Sequence, residues 1–430
     1  MTQLVRGIKR WDLVLLIINS VIGAGIFGLP SRIFNLSGTY SLIAFIVCAI
    51  VVIIFILCFA EVSSRFDKTG GPYLYTLSAF GPFPAYVTGW LLLLSRIFNY
   101  ATLVNLIVIY LSFFSNVFNA PAARIIIIAL ITALLTYINH VGVKNSARVS
   151  NIFTVAKIIP LTVFIIVGLF YLQPELLDFS EAPSTSSFST SVLLLIFAFG
   201  GFESILINSG EISNPRRNLP FALFTGIAVI TVFYILIQLV CIGTLPTLAT
   251  SEKPLAEAAG IFMGQAGGYF IAAGALISIF GTLNALMLGG SRLPYALSIE
   301  RQFPKALDYV HPKYHTPTRS LILFTLIVAV VSMVWGFLAA LTIGAIVRVL
   351  VYFMVSASLI QLRRKQPQGD YFKIKGGYVI ASVAIIICIW LLSASKLTEI
   401  RDVGVCTGVG ILVYVLNILF KKNTVAKTDH

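Results

Sequence analysis

The sequence predicts an all-α membrane protein of about twelve transmembrane helices, and three observations carry that prediction. Of its 430 residues, 58% are hydrophobic and only 11% charged, with a mean hydropathy of +0.96, whereas a soluble domain keeps about a quarter of its residues charged. Apolar runs of about 20 residues, enough to cross about 30 Å of hydrocarbon, recur along the whole chain. The charges sit between those runs and alternate in density from one loop to the next. The lipid bilayer is therefore the expected solvent and partner.

In order, the apolar runs place helices over 12–36, 40–64, 83–114, 124–139, 146–171, 190–209, 219–245, 268–298, 318–338, 341–361, 378–395 and 403–420. Residues 1–11 carry Arg6, Lys9 and Arg10 and show no small-residue cleavage site, which predicts a retained first helix. The linker 172–189, with Pro174, Pro183 and a Ser/Thr cluster, divides a first five-helix unit (12–171) from a second (190–361). Two further spans occupy 362–420, and 421–430 is a tail.

Location decides what the formal charge of +14 means. With the N-terminus in the cytoplasm, the outward segments hold only Arg124, Lys253, Lys396 and Arg401, beside Glu175, Asp178, Glu181, Glu252, Glu257, Glu399 and Asp402. Arg32, Arg96, Lys157, Arg292 and Arg348 lie within or border spans, and the other basic residues face inward. That asymmetry predicts a multi-pass protein of the cell (inner or plasma) membrane with both termini cytoplasmic, and it accounts for the basic pI without nucleic acid.

Two spans are interrupted. The first contains Gly23-Ala24-Gly25 and then Pro30, and the sixth contains Gly200-Gly201 between Phe199 and Phe202-Glu203. Glycine with a nearby proline weakens a helical ladder, and lipid cannot satisfy the backbone groups that unwinding releases. Matched interruptions in two five-helix halves point to a midplane substrate site in an inverted-repeat transporter. A zwitterionic amino acid suits such a site: free N–H groups take its carboxylate and free carbonyls its ammonium. The alternative is that the glycines only allow close helix packing.

Several segments in order resemble the amino acid-polyamine-organocation superfamily over nearly the whole chain. They are Val21-Ile-Gly-Ala-Gly-Ile-Phe27, Ala60-Glu61 to Thr69-Gly-Gly-Pro-Tyr73, Phe199 through Glu211-Ile-Ser-Asn-Pro215-Arg-Arg-Asn-Leu-Pro220, and Gly290-Ser-Arg-Leu-Pro-Tyr-Ala-Leu297. The resemblance implies a leucine-transporter-type core, spans one to five inverted against six to ten, with helices 1 and 6 broken. It implies a secondary active amino acid transporter working by alternating access, with substrate held at Ile22, Gly23, Ala24, Gly25 and Ile26 and at Phe199, Gly200, Gly201, Phe202 and Glu203. No cofactor is implied.

An ionisable group deep in a span is costly and is a functional candidate by default. Lys157 stands mid-way along span five. In superfamily members with lysine at the matching place, the resemblance implies that its ammonium replaces a sodium ion, couples transport to protons, and bridges the first span near Gly23 to Ser278 and Thr282 of span eight. The alternative is a permanent cationic strut. Arg96, Asn99 and Tyr100 share one face of span three; Asn99 and Tyr100 are candidates for substrate contact. An Arg96–Glu203 pair would leave neither charge stranded. With Glu203 so paired a neutral amino acid is the expected substrate; with Glu203 free, exchange of a basic amino acid or polyamine is. Glu61 and Glu211 stand at span ends, as helix-end salt bridges with Arg65, Arg216 or Arg217 or as solvated groups.

Other function classes lack their residues. There is no phosphate-cradling Gly-x-x-x-x-Gly-Lys-Ser/Thr loop, no His-Glu-x-x-His and no Gly-x-Ser-x-Gly. Cys48, Cys58, Cys241, Cys388 and Cys406 all lie in apolar spans without paired spacing, so neither disulfide nor metal is expected. His140, His311, His315 and His430 read as surface residues. A membrane-embedded enzyme would need convergent His, Asp or Cys at one face, and a passive channel would not need two broken helices. Gly404 and Gly408 have GxxxG spacing, which alone sets no oligomeric state.

Overall fold

The computed structural model describes residues 9–23, 25–66, 70–142, 146–203, 215–365 and 371–428, with the backbone alone at 146–156, 215–216 and 420–428. Ala24, Thr69, His430 and the stretch from Glu211 to Asn214 lie outside the described residues, and so do the side chains of Pro215 and Arg216.

Among the described residues the chain is helical, with no strand. The first span is two helices, α1 (Arg10–Val21) and α2 (Gly25–Ser37), followed by α3 (Ser41–Ser63). A short helix that the hydropathy does not announce, α4 (Gly71–Phe80), precedes α5 (Pro82–Leu111), with Gly81 alone between them at φ +93°. Only glycine adopts that conformation freely, and Pro82 then supplies the pre-set φ of a first helical residue. Next come α6 (Pro121–Val141), α7 (Ser146–Gly168) and α8 (Thr185–Ala198), the last capped by Ser184, whose hydroxyl accepts from the Ser187 N–H.

The second half continues with α9 (Pro215–Thr244), α10 (Pro254–Ile299), α11 (Thr318–Val334), α12 (Phe337–Lys365), α13 (Gly377–Ser393) and α14 (Leu397–Thr428). One expectation is corrected here. The eighth span starts earlier, at Pro254, with a break in α10 where Gly264 takes φ +70°. The last apolar span runs over Leu397–Leu419, and its helical backbone continues to Thr428.

Burial follows a membrane pattern. Among the described residues seven helical segments are long and apolar enough to cross a bilayer, and Lys157–Tyr171, Thr185–Ala198, Thr318–Val334 and Gly377–Ser393 are shorter apolar stretches. On α6, Ile128, Thr132, Leu135 and Asn139 are buried while Ile126, Leu130, Leu134 and Tyr137 are exposed. That is a helical stripe with apolar groups on both faces, as a lipid-facing helix requires.

The broken spans share one bundle: α1 packs on α9, α2 on α8, and α3 on both α8 and α9. Beside it α5 runs along α12, α10 and α11. The site lies where these two groups meet.

Candidate functional site

The first span stops being helical at Ile22–Gly23 and resumes at Gly25. The sixth leaves α8 at Ala198, turns through Phe199 to Phe202 with Gly201 at φ +124°, and regains helical backbone at Glu203. The two interruptions touch. Gly25 faces Phe197 and the Ala198 backbone so closely that a Cβ on it would lie 3.0 Å from the Phe197 ring. A Cβ on Gly201 would run into the Ser20 carbonyl. Both glycines are needed for this approach.

The carbonyls released by unwinding are met by side chains. Tyr234, on α9, donates its hydroxyl toward Val21 O at 3.0 Å and Ala198 O at 3.1 Å, which are the last carbonyls of α1 and α8. Ser20 Oγ donates to Gly201 O at 2.7 Å. Arg348, on α12, donates through Nη1 to Ile196 O at 3.2 Å and Phe197 O at 3.3 Å. A cation at the C-terminal end of α8 also meets the negative end of its dipole. Gln238, on α9, donates to Pro30 O at 3.3 Å and to Ser41 Oγ at 2.9 Å.

Glu203 is fully engaged. It accepts from the Gly201 N–H at 2.7 Å and from the Tyr352 hydroxyl, and it lies 3.7 Å from Arg348 Nε. The ion pair seen at Glu203 is with Arg348 of α12. Arg96 lies within electrostatic reach of both charges.

Lys157, buried on α7, donates to the Asn19 carbonyl of α1. It thus reaches the first span one turn before Gly23. On α10, Thr282 bonds the Ser278 carbonyl of its own helix at 2.9 Å, and the buried Ser278 hydroxyl has no hydrogen-bond partner. The expected hydroxyl bridge to Lys157 is therefore not formed in this arrangement.

Tyr100 donates to Thr132 of α6 at 3.1 Å, and Asn99 lies against Gly344 of α12 with its Oδ1 unpartnered. Phe199 packs on Tyr234 (centroids 5.4 Å apart) and Phe202 on Phe59 (5.7 Å), both rings wholly enclosed. They anchor the turn. Ile22 and Ile26 are buried beside the first break.

Glu61 is fully buried rather than solvated. It takes Arg65 Nη2 at 2.9 Å, Arg363 Nε at 2.8 Å and the Ile374 N–H at 2.9 Å, so the end of α3 is tied to the end of α12 and the segment after it. His140 is not isolated either: its ring meets those of His311 and Tyr314 at 5.3 and 5.0 Å, and its Nδ1 lies 3.3 Å from Thr318 Oγ1. Among the described residues no cluster of His, Cys, Asp and Glu gathers as a metal site, and all five cysteines are free.

Residues 8–414 match the family described as amino acid permease. The chain belongs to that family. The permease has relatives throughout its length: it is 29% identical to the methylthioribose transporter of Bacillus subtilis (strain 168), an alignment covering 96% of this chain and 94% of that protein. It is 28% identical to the serine/threonine exchanger SteT of the same organism, over 83% and 82% of the two chains. With the b(0,+)-type amino acid transporter 1 of Mus musculus it shares 29% identity, over 90% and 82%. Among solved structures, MhsT in complex with L-phenylalanine superposes with a TM-score of 0.65 at 12% identity, covering 92% of the permease and 100% of that chain. The fold is the leucine-transporter type, and the family is one of membrane transporters, not enzymes.

Four residues gathered at the two interruptions were not singled out for the candidate site from sequence: Ser20, Tyr234, Arg348 and Tyr352. Arg348 had a readable signal, an ionisable side chain in an apolar run. The other three are ordinary polar residues until the fold sets them against a broken helix.

Proposed function

We propose that the permease is a secondary active transporter that carries a neutral amino acid through the cell membrane by alternating access, with both termini in the cytoplasm. The substrate lies between the two interruptions, its carboxylate toward the free N–H groups at the start of α2 and its ammonium toward the carbonyl ends of α1 and α8. The observation that carries this reading is the Tyr234 hydroxyl, which bridges the last carbonyls of both broken helices and so makes the interruptions one site. At membrane depth opened backbone is kept where it is buried in protein or lines a polar cavity, and a pair of broken helices is the arrangement that secondary transporters use for substrate.

Occupation of Glu203 favours a neutral side chain over a cationic one. It already accepts from Gly201 and Tyr352 and lies 3.7 Å from Arg348, so its charge is balanced before an arginine or polyamine arrives. Lys157 supports proton coupling: its ammonium joins α7 to the first broken span, so its charge state bears on whether α1 and α7 stay together. As relatives, exchangers and permeases are both known by name, so the assay must separate the modes.

The test is uptake of labelled neutral, acidic and basic amino acids and polyamines into proteoliposomes, with and without an inward proton gradient and with or without internal substrate. Gradient-stimulated uptake of a neutral amino acid is expected. Uptake that depends only on internal substrate would replace symport by exchange, and accumulation of none of the panel would overturn the substrate class.

A further inference from the structure

Arg348 occupies what is, by its donor set, a cation site. Its guanidinium lies at the C-terminal end of α8, within hydrogen-bond distance of the Ile196 and Phe197 carbonyls, 3.7 Å from Glu203 and 5.9 Å from the centre of the Phe197 ring. Gly200 makes the room, since a Cβ there would coincide with the guanidinium. Two carbonyls at a negative helix end, a carboxylate and an aromatic face are what a free guanidinium or primary ammonium seeks.

This receptor does not depend on its occupant. The carbonyls belong to the last turn of α8, and Glu203 is also held by the Gly201 N–H and the Tyr352 hydroxyl. The occupant comes from another element, α12, and reaches the break from outside the sixth span.

We propose that Arg348 is a tethered cation filling a guanidinium subsite at the sixth-span break, and that it is the residue setting selectivity for neutral over cationic substrates. The inference rests on the breaks being the substrate site. Truncating Arg348 empties the subsite and leaves Glu203 and the α8 carbonyls facing a space shaped for a cationic side chain. Lysine at the same position keeps a tethered charge and keeps the subsite filled.

The experiment uses the full-length chain, wild type, Arg348→Ala and Arg348→Lys, purified in detergent. Binding of arginine and of methylguanidinium is measured directly and by displacement of a labelled neutral amino acid. Arg348→Ala is expected to bind both cationic probes about ten- to a hundredfold more tightly than wild type, the range for regaining charge-assisted hydrogen bonds, and Arg348→Lys to show no gain. If Arg348→Ala is poorly folded, methylguanidinium added during solubilisation should restore a cooperative melt, and no restoration would count against the subsite. Equal, weak cation binding by wild type and Arg348→Ala would overturn the proposal, as would an equal gain in Arg348→Lys. A wild type that binds no amino acid at all fails the proposed function instead, so the two failures are distinguishable.

Discussion

Replacing Tyr234 by phenylalanine removes one oxygen and leaves the ring, which packs edge-on to Phe199 at 5.4 Å and Phe45 at 6.1 Å. The fold should therefore survive. What goes is the hydroxyl shared by Val21 O and Ala198 O. A phenol has one proton, so the two contacts amount to one shared donor, and its loss strands a carbonyl at a fully buried position. A buried acceptor left without its donor costs about 1–3 kcal/mol; taking about 2 kcal/mol, the affinity for a substrate held between both breaks falls roughly thirtyfold. The assay is the Kd of the transported amino acid for wild type and Tyr234→Phe, with thermal unfolding alongside. Unchanged Kd and unchanged melting would refute the reasoning, because the hydroxyl would then hold neither break.

Two further outcomes follow from other parts of the molecule. Lys157→Met, which keeps the stem and deletes the charge that reaches Asn19, should abolish proton-gradient-driven uptake while counterflow of substrate persists; full retention of the gradient response would remove Lys157 from coupling. Glu61→Gln withdraws the charge between Arg65 and Arg363 and strands buried guanidinium groups, a loss of about 3 kcal/mol expected as a lower melting temperature in detergent. An unaltered melt would show that the pair is not needed.

Much of the fold is legible in sequence because the bilayer is a demanding solvent. Every spanning segment must satisfy its own backbone, so apolar length alone locates helices such as Pro121–Val141 to within a few residues. Short pieces escape that rule: α4 is ten residues long and need not span, and the early start of α10 carries Glu257 in its first turn and a break at Gly264. The interruptions were legible too, since Gly23 and Gly200-Gly201 stand out against unbroken apolar runs. Sharing a helix face with Arg96 does not say which neighbour that face meets, and only the fold shows that Tyr100 meets Thr132.

The sequence by itself determined that the chain lives in a membrane and where two of its helices open. Those are local properties, decided by hydropathy and by residues that cannot hold a helical ladder. Only the tertiary structure decided which groups answer the opened backbone. Ser20, Tyr234 and Arg348 meet carbonyls that lie 36 to 213 residues away along the chain, and the ion partner that Glu203 finds in Arg348 comes from α12. Pairing of that kind depends on distances between helices, and no run of residues along one helix encodes them.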